Sequence, residues 1–201
     1  MTTQDLFRCI GDLSDTMIEE AADIRRKKRW LPIAALAACA VAWKFGISGE
    51  TAAAALAEFH GAGRRLEYKG SFHGADVYDD YAHHPNELQA LLQAVRLMHY
   101  RRVICAFQPH TYSRTKALFQ SFVDELRTAD QVVLADIYAA REQNTVGVSS
   151  QELAAEIPGA VYCPSLQGVT AYLRENAQPG DIILTVGAGD IYKAGEALLK
   201  E

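Results

Sequence analysis

Val103 to Phe107 and Val132 to Ala135 are unbroken apolar runs, and Ile182 to Val186 is interrupted only by Thr185. Runs this short, without the alternation of a half-wet strand, read as strands covered on both faces. Helical spacing fills the intervals. Pro85 opens a stretch whose apolar residues Leu88, Leu91, Leu92, Val95 and Met98 recur three and four positions apart. Further helices are predicted over Ser113 to Arg127, over Leu153 to Ile157 behind a Ser149/Glu152 capping box, over Gln167 to Asn176 and at the chain end, with a short strand near Val161. Buried strands alternating with helices require a mostly parallel, open α/β sheet with helices on both faces. Leu66 to Phe72 and Ala75 to Tyr78, flanking His73 and Gly74, predict an attached hairpin.

Upstream the pattern is different. An alanine-rich helix from Ile33 to about Phe45, expected to be buried, and a second over Glu50 to Phe59 behind a Ser48 cap form a small helical pair. His60, Gly61, Ala62 and Gly63 break the pattern, so the domain boundary is set there. The expected organisation is a helical extension over 1–29, a helical body over 30–62 and the α/β domain over 63–201. Within the extension, Asp5 to Arg29 predicts a polar helix ending in the basic run Arg25 to Arg29. Basic residues ahead of apolar Trp30 to Val41 have the order of a membrane anchor, but a spanning helix needs about 20 apolar residues. A net charge of -5 gives no electrostatic reason to expect nucleic acid as a partner. Cys9, Cys39, Cys105 and Cys163 form no CxxC pair, and Cys105 sits inside an apolar run; a reducing, cytoplasmic setting is expected.

Open α/β sheets bind ligands beyond the carboxyl ends of their strands, so reactive side chains should follow the apolar runs. They do. Tyr78 leads into Asp79, Asp80, Tyr81, Ala82, His83, His84 and Pro85; Phe107 into Gln108, Pro109, His110, Thr111, Tyr112, Ser113 and Arg114; Ala135 into Asp136, Ile137 and Tyr138. Arg114 lies near a helix start, where its guanidinium can grip a carboxylate in bidentate fashion; Asp124 and Glu125 lie more than two turns away, too far for an ordinary helix ion pair. Each Asp or His taken singly also fits a capping or solvated role. Asp79, Asp80, His83, His84 and His110 offer a metal reading, without HExxH or cysteine spacing to support it. Gly187, Ala188 and Gly189 resemble the opening of a dinucleotide fingerprint, but Tyr192 stands at the third glycine position, so a tight turn is the expected role. Arg64 and Arg65 are open between a solvated pair and a phosphate clamp.

Taken together, YDDYAHHPNEL from Tyr78 and FQPHTYSRTKAL from Phe107 resemble the signature loops of the carboxy-terminal domain of the Mur ligase family, in particular its ligases that join L-alanine to UDP-N-acetylmuramate. EFHGAGRRLE, ADIYAAREQNTVGVSS and GDIILTVGAGDI follow the family's order, and the resemblance covers roughly Leu36 to Glu201. It implies a Rossmann-like third domain that brings an amino acid to an enzyme binding UDP-sugar and ATP with Mg2+ in its other domains. ATP activates the muramoyl carboxylate as an acyl phosphate, which the amine of alanine attacks. The resemblance implies that His83 and His110 are catalytic, that Tyr81 and Arg114 bind the amino acid, that Arg65 reaches ATP phosphates, and that Asp79 or Asp80 lies near the nucleotide ribose. Residues 30–62 become a remnant of the ATP-binding domain. Some members carry arginine where this chain has Thr111, which leaves amino-acid selectivity open. No GxxxxGK[ST] occurs, so residues 1–201 are expected to be inactive alone, with the missing ligase domains as candidate partners. The muropeptide-recycling tripeptide ligase, similar around DDYAHHP, and a non-catalytic binding module are the alternatives.

Overall fold

The computed structural model describes residues 31–58 and 63–200; the helix expected over Asp5 to Arg29 lies outside them. The chain divides into two compact units, Met1–Gly61 and Ala62–Glu201. In the first, helices α1 (Leu31–Lys44) and α2 (Gly49–Glu58) pack together, and Ser48 Oγ accepts from the Thr51 amide at 3.2 Å. The expectation of a buried α1 is corrected. Where its burial is described, Ala40 is buried, but Val41, Trp43 and the following Phe45 and Ile47 are exposed. Among the described residues, no helix is long and apolar enough to cross a membrane.

The second unit is built on a six-stranded sheet: β1 (Glu67–Phe72), β2 (Ala75–Asp80), β3 (Arg102–Phe107), β4 (Gln131–Leu134), β5 (Val161–Tyr162) and β6 (Asp181–Val186), in the order β1-β2-β6-β3-β4-β5. The β1–β2 hairpin is antiparallel, and every other pairing is parallel. The helices are α3 (Pro85–Arg96), α4 (Tyr112–Ala117), α5 (Phe119–Leu126), α6 (Ser150–Ala155), α7 (Leu166–Asn176) and α8 (Tyr192–Leu198).

Residue alternation along β3 shows how the layers form. Val103, Cys105 and Phe107 face a core made with α3, α5 and α6, whereas Ile104 and Ala106 face one made with α7 and α8. Burial pushes the Cys105 thiol up to about 12, so it packs as an inert hydrophobe.

Two helix boundaries differ from the sequence expectation. The helix predicted over Ser113 to Arg127 is broken at Leu118, whose φ of -112° and ψ of 19° leave the helical region. The break lets α5 bury Phe122, Val123 and Leu126 while α4 keeps Arg114 near the strand ends. The Ser149/Glu152 capping box is present, but its helix begins at Ser150, directly after the cap.

Candidate functional site

Parallel pairing of β2, β6, β3 and β4 brings their carboxyl ends to one rim. The loops after β3 and β4 are clasped by main-chain bonds: the Tyr138 amide donates to Pro109 O at 2.8 Å, and the Thr111 amide to Tyr138 O at 2.9 Å. Four aromatic rings then follow one another. Tyr81 and His83 meet edge to face with centroids 5.4 Å apart, His83 and His110 are 6.0 Å apart, and His110 stacks on Tyr138 at 5.6 Å. The sequence expectation that three loops converge is met.

His83 Nδ1 lies 3.0 Å from Tyr81 O, which favours the tautomer with the proton on Nδ1. The same nitrogen is 3.4 Å from Glu87 Oε2, an oxygen that also accepts from the amides of His83 and His84 to close the capping box of α3. His110 is held below its ordinary 6.5 by burial, then by the positive neighbours Arg114 and His83, against a smaller opposing pull from Glu142. It is therefore neutral at pH 7. Its Nδ1 and Arg114 Nη1 are buried and have no hydrogen-bond partner among the described residues. Orphaned donors and acceptors of this kind are uncommon in folded proteins, and on a rim they mark a place for a ligand. Thr111, between them in sequence, has φ 67° and ψ 142°, a strained conformation for a branched residue.

Asp79 and Asp80 are 1% and 7% exposed, and all four of their carboxylate oxygens accept bonds from within the domain. Asp79 takes Arg64 Nε at 2.7 Å and the Thr185 hydroxyl at 2.8 Å; Asp80 takes the amides of Leu66 and Ala82. Both carboxylates thus brace the strand end from within the domain. Among the described residues no group of three His, Cys, Asp or Glu is arranged to hold a metal.

The arginine pair is likewise resolved. Arg64 is a brace, donating to Asp79 and to the carbonyls of Gly187 at 2.6 Å and Gly189 at 3.2 Å, with its guanidinium 4.9 Å from the Tyr81 ring and 4.8 Å from that of Tyr192. Arg65 is exposed beside Tyr81, 5.9 Å from its centroid, and so keeps a free guanidinium face. Gly187 and Gly189 serve close approach, since a Cβ would come 2.6 Å from Gln108 O at the first and 2.3 Å from Gln108 Oε1 at the second. Gln108 fills the crevice where strand order reverses, accepting from the Asp190 and Ile191 amides and donating to Asp190. Sequence reasoning listed Gln108 and Tyr138 without assigning them a task; the glycine-rich turn opposite was the available signal.

A model of the Mur ligase glutamate ligase domain matches residues 64–189. The chain belongs to the Mur ligase family. The UDP-N-acetylmuramate–L-alanine ligase of Lachnospira eligens is 49% identical over 169 residues, 82% of this chain and 37% of the relative. That of Caldanaerobacter subterraneus is 45% identical over 171 residues, again covering 83% of this chain and 37% of the relative. The solved UDP-N-acetylmuramate-alanine ligase of Thermotoga maritima matches at a TM-score of 0.64 and 26% identity, over 83% of this chain and 36% of that one. A murein peptide ligase from Psychrobacter arcticus, 23% identical with a TM-score of 0.56 over 82% of this chain and 35% of that one, shares the fold. The Mur ligase chain described here spans about 37% of the length of the curated relatives it matches.

Proposed function

We propose that this chain is the amino-acid-presenting part of an ATP-dependent UDP-N-acetylmuramate:L-alanine ligase in the cytoplasmic synthesis of peptidoglycan precursor. The observation that carries the reading is Arg114 Nη1, buried at the rim near His110 with no hydrogen-bond partner among the described residues. A guanidinium with an unused donor, on a helix start near the His110 imidazole, suits the carboxylate of a free amino acid. The identity of relatives at 45% to 49%, all alanine ligases, favours alanine over a tripeptide.

In the proposed reaction ATP converts the muramoyl carboxylate to an acyl phosphate; the alanine amine attacks its carbonyl carbon, and phosphate leaves as the amide forms. Residues of this chain hold and orient the nucleophile. Arg114 fixes the carboxylate, which limits the amine to a small volume beside His83 and His110. Neutral His110 is suited to take the proton that the attacking amine must lose. Tyr81 walls the same space, and exposed Arg65 suits a phosphate oxygen. Residues 1–201 contain no GxxxxGK[ST], so they are expected to show no turnover alone, and Mg2+ belongs to the intact enzyme. On the same reading residues 30–62 belong to the ATP-binding domain, residues 1–29 are a separate extension, and the remaining ligase domains are the partners.

Titrating L-alanine into residues 1–201, followed by NMR at the Arg114 and His110 side chains, tests this. Alanine should shift both, and alaninamide, which lacks the carboxylate, should shift neither; equal responses would overturn the carboxylate assignment. ADP release from UDP-N-acetylmuramate, L-alanine and ATP by this chain alone would overturn the expectation of inactivity.

A further inference from the structure

A catalytic imidazole is ordinarily held in plane by a hydrogen bond at the ring nitrogen that does not react, often to a carbonyl or carboxylate. His83 has such a bond to Tyr81 O. His110 does not: its Nδ1 is buried without a partner among the described residues. Something else must fix its plane. The ring of Tyr138 lies nearly parallel to it, at 19° with centroids 5.6 Å apart, within the range of offset stacking.

The Tyr138 ring is itself held firmly in place. Its main chain pairs with the His110 segment as an isolated parallel bridge, through the bonds to Pro109 O and from Thr111 N. Its side chain packs against Gly189, where an added Cβ would come 2.7 Å from Tyr138 Cγ. The glycine after β6 is thus the seat of this ring. The hydroxyl has no hydrogen-bond partner among the described residues, so the aromatic face is what the arrangement uses.

We infer that Tyr138 is a positioning residue for His110, its stacked ring replacing the hydrogen bond that would otherwise orient the imidazole. The inference rests on the proposed role of His110 beside the incoming amine, but its geometry does not depend on that role. It also accounts for a large aromatic ring that stays 39% exposed at the rim.

The test uses the whole chain with the His110 ring protons as the probe. In the unmodified protein, NOEs should connect the His110 and Tyr138 rings; their absence in the folded protein would overturn the inference outright. The groups facing His110 are Arg114 from α4, His83 from the loop after β2, and Glu142 from the loop after β4, and all remain in the variants. Tyr138→Phe keeps the stack, so the His110 titration midpoint should move by no more than about 0.2 pH units. Tyr138→Leu should raise it by about half a unit toward 6.5, as solvent reaches the ring. Unchanged His110 behaviour in a folded Tyr138→Leu protein would refute the positioning role. Should that variant not fold, Tyr138→Phe decides: a His110 midpoint displaced by as much as half a unit assigns the effect to the hydroxyl and overturns the stacking argument. Alanine titration of the same samples separates the two readings. A protein in which Tyr138→Leu moves His110 but alanine moves nothing retains this inference and loses the proposed substrate.

Discussion

The two ends of the sheet are built on opposite terms. At the amino end, Asp181 is fully buried and takes Arg101 at 3.0 Å, Arg102 at 2.6 Å and the Gln178 amide at 2.9 Å. Asp130 beside it takes both terminal nitrogens of Arg96 and the Val103 amide. Arg102 Nε is the one buried side-chain atom there without a partner among the described residues. At the carboxyl end, donors and acceptors on His110 and Arg114 stay unused, Thr111 is strained, and Tyr81 and Tyr138 are 37% and 39% exposed. One end closes its charge onto itself, and the other leaves it available. That asymmetry is what separates a structural edge from a binding edge in an α/β domain.

Breaking the closed end should have the largest effect. Asp181→Ala leaves two arginines without their shared carboxylate and should cost about 3 kcal/mol in urea unfolding, while alanine binding by the folded fraction persists. Next is the turn joining β6 to the rim. Gly187 has φ 148°, and its Cβ would meet the Gln108 carbonyl, so Gly187→Ala should cost about 2 kcal/mol and disturb the Arg114 and His110 resonances together. Arg114→Ala should do the reverse of Asp181→Ala: stability within about 0.5 kcal/mol of the parent, but alanine affinity reduced about tenfold or more by calorimetry. Loss of stability matching that of Asp181→Ala would mean that the two ends are not distinct. Thr111→Gly, which relieves the backbone, should raise stability by about 0.5 kcal/mol in thermal unfolding.

The smallest expected effect lies in pH dependence, and it has the same sign at both ends but falls in different pH windows. Burial raises the Asp181 carboxyl, but Arg102, the Gln178 amide and Arg101 outweigh it, so the group sits below its ordinary 3.8. Its stabilising contribution is complete above that value and is lost as pH falls through the lower, folded one. His110 is also depressed, so the unfolded chain binds its proton first. Stability on this account is complete above about 6.5 and declines as pH drops from there toward the folded value. Unfolding free energies between pH 7.5 and 5 should show this decline in the parent and not in His110→Asn.

Much of this was legible in the sequence. The continuous runs at Val103 and Ile182, the helical spacing from Leu88 and the polar clusters after each strand lead directly to the sheet, its parallel pairing and its rim. Helix ends were less legible, since the break at Leu118 depends on how far α5 must tilt to bury Phe122, not on a glycine or proline signal. The paired motifs likewise take partners that spacing does not specify. Asp79 and Asp80, or Arg64 and Arg65, are neighbours with similar chemistry, yet a strand or a strained turn sends adjacent side chains in different directions.

By itself, then, the sequence determined the layered architecture and which loops carry reactive groups, because hydrophobic periodicity and strand polarity are local properties that force those results. Tertiary structure alone decided which of those groups remain unpaired. Arg64 is consumed by carbonyls more than a hundred positions away, Asp79 by Thr185, and Gln108 by the turn after β6, whereas His110 and Arg114 meet no such partner. Whether a polar group is satisfied depends on what the fold brings within about 3 Å of it, which no spacing along the chain specifies.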